Sequence, residues 1–599
     1  MKSLFDSLPQ EQIVYEGFKY ITDEKDIPSV IKELEKDKYI YLDTEVATKD
    51  LDNIDVFSDK IRLIQLGNEE KIFVIDAFKL NQTIVTSFLK DIFRDRGVIG
   101  HNLKFDLKFL KTNYNVSVDT VFDTMIASQI LSKGSETDRH SLKAVSNRFA
   151  GEDIDKKLQK SDWTSSTLTK DQLIYAAEDI KALRKIFKSM LDRLNEGYTL
   201  QKSSKISQIF NLHNPVALLE MAFLPVLVDI ELAGMSVNIK VLNSLLEENE
   251  KTFQNLYFEF KKNYQIDPFS PQQVANYLVN KLNIKLPKTE KGSYSSQDSV
   301  LKNYIDLEEV RLLISIRTVK KIIDKLREIK GFVKDGRVYG EFRQIGASTG
   351  RMASMRPNLQ NIPASLKKVF QTEKGYKFII ADYSQIELRL AAEYTGDENM
   401  IKAFSEGLDL HRLTASVITG RRYEDVSSED RKLAKAINFG LIYGMSPKSL
   451  VEYAKVNYDV EISIDEAKEF HKNFFEYYKN FGQWHNTVKS YLQKHRNIEV
   501  STLLGRKLLA YRFTDAVNYP IQGSGSDLLK MAVVLYYKNK DESSKIVNLV
   551  HDEIVIESQE DSIEKNVEIL KEAMEKAGKR VLKKVPVAFE VNISNVWEK

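Results

Sequence analysis

Three short apolar runs along the chain end in acidic residues. Tyr39-Ile40-Tyr41-Leu42 leads into Asp43-Thr44-Glu45, Phe378-Ile379-Ile380-Ala381 into Asp382-Tyr383-Ser384-Gln385-Ile386-Glu387-Leu388-Arg389, and Ile546-Val547-Asn548-Leu549-Val550 into His551-Asp552-Glu553. Apolar runs of four or five residues bounded by polar clusters predict strands, so each run delivers carboxylates at a strand end. A further apolar run, Val98-Ile99-Gly100, precedes Asn102-Leu103-Lys104-Phe105-Asp106. Helical spacing marks other segments. Arg431, Lys435, Phe439 and Tyr443 recur at intervals of four, which stacks them on one helix face. Tyr175 lies four residues before Asp179 in another predicted helix, and long helical patterns run from about Asn238 to Val338. Strands interleaved with helices throughout predict a multidomain α/β architecture.

Each acidic pair alone is weak evidence, because an Asp-Glu pair between apolar runs is most often a solvated hairpin turn. Together the segments say more. Asp382 and Asp552 on adjacent strands would suit a pair of hard cations, which take few protein oxygens and keep positions open for substrate phosphates. Along a strand, residues two apart face the same way, so Asp43 and Glu45 can share a second metal pair. The 431–443 helix face offers two cations and then two rings. A nucleoside triphosphate fits that order, with phosphates against Arg431 and Lys435 and sugar and base against Phe439 and Tyr443.

The segments 382–389, 431–444 and 551–553, in this order, resemble motifs A, B and C of family A DNA polymerases, the class of bacterial DNA polymerase I. The resemblance extends to Thr349-Gly350-Arg351, Asn358-Leu359-Gln360-Asn361-Ile362-Pro363, His411 with Thr414-Ala415, and Asn518-Tyr519-Pro520-Ile521-Gln522-Gly523. It implies that Asp382, Asp552 and the Tyr383 carbonyl hold metal ions, and that Lys435 stabilises phosphate charge. Arg431, His411, Lys435 and Gln385 would meet the nucleotide, and Glu387 packed on Tyr443 would exclude a 2′-hydroxyl. Arg351, Asn518, Gln522 and His551 would touch primer or template. Asp43, Glu45, Asp106, Asp179 and Tyr175 are similar to the DnaQ-like (RNase H-like) 3′-5′ exonuclease pattern, with Asp43, Glu45 and Asp179 as metal ligands.

The implied layout is an exonuclease domain over 1–205 followed by a polymerase right hand over 206–599. Its thumb would span about 239–338, its palm about 339–409 and 501–599, and its fingers about 410–500. Mg²⁺, two ions per active site with Mn²⁺ as a substitute, primer-template DNA and dNTPs are the implied cofactor and partners, with helicase and primase beside them and a monomeric chain. The Lys-, Asn- and Ile-rich flavour resembles most the apicoplast branch of the family in malaria parasites, which implies that organelle; a bacterial cytoplasm is the alternative.

Composition adjusts this picture little. At 599 residues with 42% hydrophobic content the chain can bury several cores. A net charge of +2 is small for a DNA-binding protein, but phosphate contact needs local clusters rather than bulk balance. The chain has no cysteine, so disulfides and thiolate metal sites are excluded and a catalytic metal is expected on carboxylates. No apolar run reaches membrane-spanning length.

Several positions depart from the commoner family pattern. Thr514 stands where Arg is usual, Ser524-Gly525-Ser526 where Thr-Ala-Ala is usual, and Lys367 where Arg is common. The rival readings are a 3′-5′ exonuclease whose polymerase-like region only binds DNA, and a non-catalytic nucleic-acid-binding module. The intact carboxylates argue against both.

Overall fold

The computed structural model describes residues 14–598 apart from 16, 136, 155–156, 200–203 and 290. The amino-terminal part is built on a seven-stranded mixed sheet, in the order Val14–Tyr15, Phe18–Ile21, Ile72–Asp76, Lys60–Gly67, Tyr39–Ala47, Gly97–Gly100 and Val121–Asp123. The Tyr39–Ala47 strand pairs antiparallel with Lys60–Gly67 and parallel with Gly97–Gly100. Ile40, Tyr41 and Leu42 near its start are fully buried, as expected of a strand covered on both faces. The Lys170–Asn195 helix packs on this sheet, its first turn closed by a Thr169–Gln172 capping box.

The stretch 198–214 is polar in composition yet holds a helix. Residues 200–203 lie outside the described residues, but Lys205–Phe210 is a helix, and Ile206, Phe210 and Leu212 are buried in the amino-terminal core. Three apolar anchors in a polar stretch are enough to bind it down.

The Pro215–Ala233 helix then joins the two halves of the molecule. Ala217, Met221, Leu224 and Val228 belong to the amino-terminal core, whereas Leu219, Phe223, Val226, Leu227 and Ile230 belong to the next one. A helix apolar all round is buried all round, and here each side faces a different core.

The carboxy-terminal part centres on a four-stranded antiparallel sheet ordered Ser544–Val550, Glu553–Gln559, Tyr376–Tyr383 and Phe589–Ser594. Alternation divides its central strand. Ile379, Ala381 and Tyr383 pack in the core shared with the Phe513–Asn539 and Ile563–Val581 helices, and Phe378 and Ile380 pack on the opposite face with Trp597. The first of these cores continues through the helices from Leu410–Thr419 to Lys479–Leu492, so no break in packing separates the sheet from the helices drawn as fingers.

The Ile239–Tyr264 and Glu308–Gly331 helices pair along their length and carry a small core of their own at the far end. On the second of them Lys320 pairs with Asp324, Lys321 with Asp298 and Lys325 with Glu328, so each cation has an acidic neighbour.

Candidate active sites

The polymerase-like centre forms where the central strand of the second sheet ends. Asp382 lies opposite Glu553 in register. Val550 pairs with Glu553, which leaves His551 and Asp552 as a two-residue turn, with His551 at φ +56. Two-residue hairpin loops require positive φ, and this turn carries its carboxylate at the tip beside Asp382's strand. Asp552 was read from the sequence as lying on an adjacent strand; it lies in the turn before one. The hairpin, the ordinary reading of an Asp-Glu pair, here also sets Asp552 beside the strand of Asp382.

Glu553 is tied elsewhere. Its Oε1 accepts from Trp597 Nε1 at 2.8 Å and from Lys367 Nζ at 3.3 Å, with the Lys367 ammonium 4.2 Å above the Trp597 ring. Lys367, a departure in sequence, is thus an anchor of the hairpin base. The Tyr383 side chain faces away, its hydroxyl donating to the Met574 carbonyl at 2.8 Å, so only its main chain borders the site.

Beyond the strand, Gln385 adopts φ +51 and opens the Ile386–Thr395 helix. Its Oε1 is buried without a hydrogen-bond partner among the described residues. In the first turn of the helix, Glu387 accepts from Arg351 at 2.6 Å and, on its other oxygen, from the Tyr443 hydroxyl. The pairing of Glu387 with Tyr443 is present; the ion pair with Arg351 is new.

The helix face read from the sequence exists as Ser428–Ile442, with Tyr443 as its C-cap residue and a Ser427–Asp430 capping box at its start. Exposure grades along it: Arg431 and Lys435 are exposed, and Phe439 and Tyr443 are half-buried. Arg431 is held by Asp409 at 2.7 Å. His411 is 4% exposed, its ring 5.8 Å from Phe439 and its Nδ1 2.9 Å from Asn438 Nδ2. Burial pushes its pKa down to about 4, so the ring is neutral at neutral pH and is suited to meet a phosphate as a hydrogen-bond donor.

Arg351, Gln522 and His551 line one cavity of about 460 Å³, with Tyr519, Asn358 and Gln360. Asn518 stands one turn before Gln522 on the Phe513–Asn539 helix, and its Oδ1 is buried without a hydrogen-bond partner among the described residues. Thr514, exposed, lies one turn earlier still.

In the amino-terminal part, carboxylate oxygens of Asp43, Glu45 and Asp179 lie within 4.8 Å of one another. Tyr175, 7% exposed, sits one turn before Asp179, with its ring 6.4 Å from that of Trp163. Asp106 is the exception to the expected set of four acids. It accepts from Thr44 Oγ1 at 2.6 Å and is not part of the three-carboxylate cluster. Burial pushes its pKa up to about 7, with the Thr44 hydrogen bond opposing.

A residue that sequence reasoning missed places Asp106. Asp123 accepts from the backbone N–H of Asn102 and Leu103, which open Asp106's helix, and from those of Met125 and Ile126 in the next one. The apolar Val121-Phe122 before it is the same strand-end signal that marks the other acids.

The Asp106 environment has a measurable consequence. A carboxyl whose folded pKa is raised from 3.8 to about 7 contributes stability below the lower value and loses it as pH rises through the upper one. In chelator, Asp106→Asn is therefore expected to stabilise the protein at pH 8 by a few kcal/mol relative to the native chain, with the gap narrowing toward pH 4. Thermal unfolding curves across that range test it, and a gap independent of pH would show that Asp106 ionises normally.

Residues 236–599 match the family described as DNA polymerase family A, and residues 18–195 match a 3′-5′ exonuclease family. The chain belongs to DNA polymerase family A: it is a DNA-directed DNA polymerase with a 3′-5′ exonuclease domain ahead of the polymerase domain. Among similar proteins, DNA polymerase I of Aquifex aeolicus is 46% identical over 97% of this chain and 100% of its own length. DNA polymerase I of Caldicellulosiruptor bescii is 30% identical over 100% of this chain and 67% of its own length, and that of Borreliella burgdorferi 30% identical over 95% and 65%. The fold is similar to the solved POL domain of Pol1 from M. smegmatis, in complex with DNA primer-template and dNTP, with a TM-score of 0.79 and 22% identity over 96% of this chain and 99% of that one.

Proposed function

We propose that the chain extends primers with dNTPs at the 382–552 centre and removes misincorporated 3′ ends at the 43–179 centre, each with divalent ions, Mg²⁺ foremost and Mn²⁺ as a substitute. The observation that carries this reading is the convergence of all-oxygen donor sets in two separate parts of the fold: three carboxylates within 4.8 Å in one, and a strand-end and a turn carboxylate in the other. Hard, closely spaced oxygen ligands are what Mg²⁺ takes. Asp382, Asp552 and the Tyr383 carbonyl would hold ions at the first centre, Asp43, Glu45 and Asp179 at the second. Such ions supply charge for the departing phosphate and lower the pKa of the attacking oxygen.

The remaining roles belong to the protein's own groups. Lys435 and Arg431 offer exposed cations to a triphosphate, with Gln385 and neutral His411 as hydrogen-bonding groups near it. Phe439 presents a half-buried ring to the sugar. Arg351, Gln522 and His551 border the cavity in which the primer end and its template partner would lie, and Asn518 would meet them from one turn before Gln522. Tyr175 would orient the attacking water of the exonuclease, and Asp106 would act from its Thr44 hydrogen bond as a base or second-ion ligand. The working parts would be an exonuclease over 1–205 and a polymerase over 206–599, divided into thumb, palm and fingers at the positions given above, acting as a monomer beside helicase and primase. Of the two settings read from the sequence, bacterial relatives at up to 46% identity favour the bacterial cytoplasm over an apicoplast.

A labelled primer-template incubated with dNTPs, with and without Mg²⁺, tests the reading. Metal-dependent extension, with degradation when dNTPs are withheld, supports it. Degradation alone would leave a nuclease with a DNA-holding region, and neither activity a binding module.

Glu387→Ala opens space beneath the sugar and frees Tyr443 from its hydrogen bond. The expected result is a fall in the kcat/KM ratio for dNTP over rNTP of about tenfold or more, with some loss of dNTP incorporation. An unchanged ratio in an active variant would remove the sugar-gate role from this pair.

A further inference from the structure

The Phe513–Asn539 helix carries Thr514, Asn518, Gln522, Ser526 and Lys530 at intervals of four, a single ridge along its surface. Of its outer members, Gln522 borders the cavity proposed for primer and template. Its inner members do something else. Ser526 Oγ and Lys530 Nζ each donate to the main-chain carbonyl of Gly350, both at 2.9 Å, and Lys530 also donates to the Gln344 carbonyl at 3.0 Å.

Gly350 is the residue immediately before Arg351. It sits at φ +89 in a tight loop in which Gly350 N–H donates to the Ala347 carbonyl, and Gly346 and Ala347 N–H groups donate to the Arg351 carbonyl. A Cβ at Gly350 would lie 2.8 Å from the Arg506 guanidinium, so the backbone here runs flush against a buried side chain. Gly523 lets the helix approach equally closely, since a Cβ there would lie 2.8 Å from the Thr349 carbonyl. The loop is thus pinned to the ridge by two donors on one carbonyl and by direct backbone contact. Ser526 is also one of the positions where this helix departs from the commoner family pattern.

From this geometry we infer that Ser526, together with Lys530, is a positioning residue for Arg351. By holding the Gly350 carbonyl it sets the direction in which the Arg351 side chain leaves the loop. That direction decides whether the guanidinium reaches both Glu387, 2.6 Å away in this structure, and the primer end in the adjoining cavity. The inference rests on the reading of Arg351 as a primer contact.

Ser526 can be tested without breaking the buried charges around Lys530. Ser526→Ala leaves the Gly350 carbonyl one donor and should lower kcat for matched-primer extension about three- to tenfold, the worth of one hydrogen bond, while dNTP KM stays unchanged and the urea midpoint falls by no more than the loss of that one bond. Ser526→Thr, which keeps the hydroxyl, should restore kcat. The deciding measurement is a double-mutant cycle with Arg351→Ala. If Ser526 acts through Arg351, Ser526→Ala has no effect on kcat once Arg351 is gone. The same fold loss in both backgrounds, or no loss in the native one, overturns the inference. Arg351→Ala with native kcat and native primer-template affinity would instead overturn the primer-contact reading on which the inference stands, and the two failures are therefore told apart.

Discussion

Asp382→Asn or Asp552→Asn abolishes primer extension, a loss of about a thousandfold or more, and leaves 3′-5′ degradation of single-stranded DNA near its native rate. Each substitution removes a charged oxygen from the end of the Tyr376–Tyr383 strand or from the turn beside it, while Glu553, opposite Asp382, accepts from Trp597 and Lys367. Asp43, Glu45 and Asp179 stand on a different sheet and the helix packed on it, around a different core, so they are untouched. The reciprocal change, Asp43→Asn with Glu45→Gln, stops degradation and spares extension. Gel assays of both activities on each variant, with circular dichroism to show folding, check the result. One substitution that abolished both activities in a folded protein would defeat the two-centre reading.

Glu220→Gln destabilises the chain by about 3–5 kcal/mol, the usual consequence of removing one member of a buried ion network. Glu220 is fully buried on the Pro215–Ala233 helix and accepts from Lys530 at 2.7 Å, from Arg506, and from Gln344 Nε2 at 2.7 Å. Arg506 is also paired with Asp527 at 2.6 Å, and Asp527 accepts from Thr502 at 2.7 Å. Without the Glu220 charge, two buried cations share Asp527 alone. Glu220→Gln with Lys530→Met removes one charge of each sign and should cost less than the two single changes added together, since neither side is left unpaired.

The pH dependence of that loss has a definite sign. Burial alone would raise the Glu220 pKa, but the Lys530 and Arg506 charges together outweigh it and hold it below the ordinary 4.5. A lowered folded pKa contributes stability above the unfolded value that is lost as pH falls through the folded one. The gap between native and Glu220→Gln protein should be flat from pH 6 to pH 8 and close only in strong acid. Urea titrations at several pH values measure it; a gap that closed near neutrality would mean that Glu220 is protonated there.

These two predictions separate what is local from what is not. Asp382, Asp552, Asp43, Glu45 and the 431–443 helix face were legible because each follows from a short-range regularity. An apolar run ends in an acid, or four side chains recur at the helical repeat. Strand and helix periodicity survive in the folded chain because hydrophobic burial enforces them, so the elements appear where their patterns are written.

Other features have no local signature. Glu220 meets Arg506 and Lys530 across 286 and 310 residues, and nothing near any of them announces the partners. Read alone, Glu220 is an acid in an apolar helix. Asp106 and Asp43 carry the same strand-end or helix-start signal, yet one is held apart by the Thr44 hydroxyl and shifted by burial while the other joins a carboxylate cluster. His411 is a histidine at a family position in the sequence, and only its enclosure beside Asn438 and Phe439 makes it neutral.

Sequence by itself therefore determined the class of protein and the strands and helices that bear its acids. Which acids converge, which charge states burial permits, and how Arg351 is aimed were decided by tertiary structure. Charge and hydrogen bonding depend on the dielectric and on partners that close packing brings together from distant parts of the chain, and neither is set by a residue's neighbours in sequence.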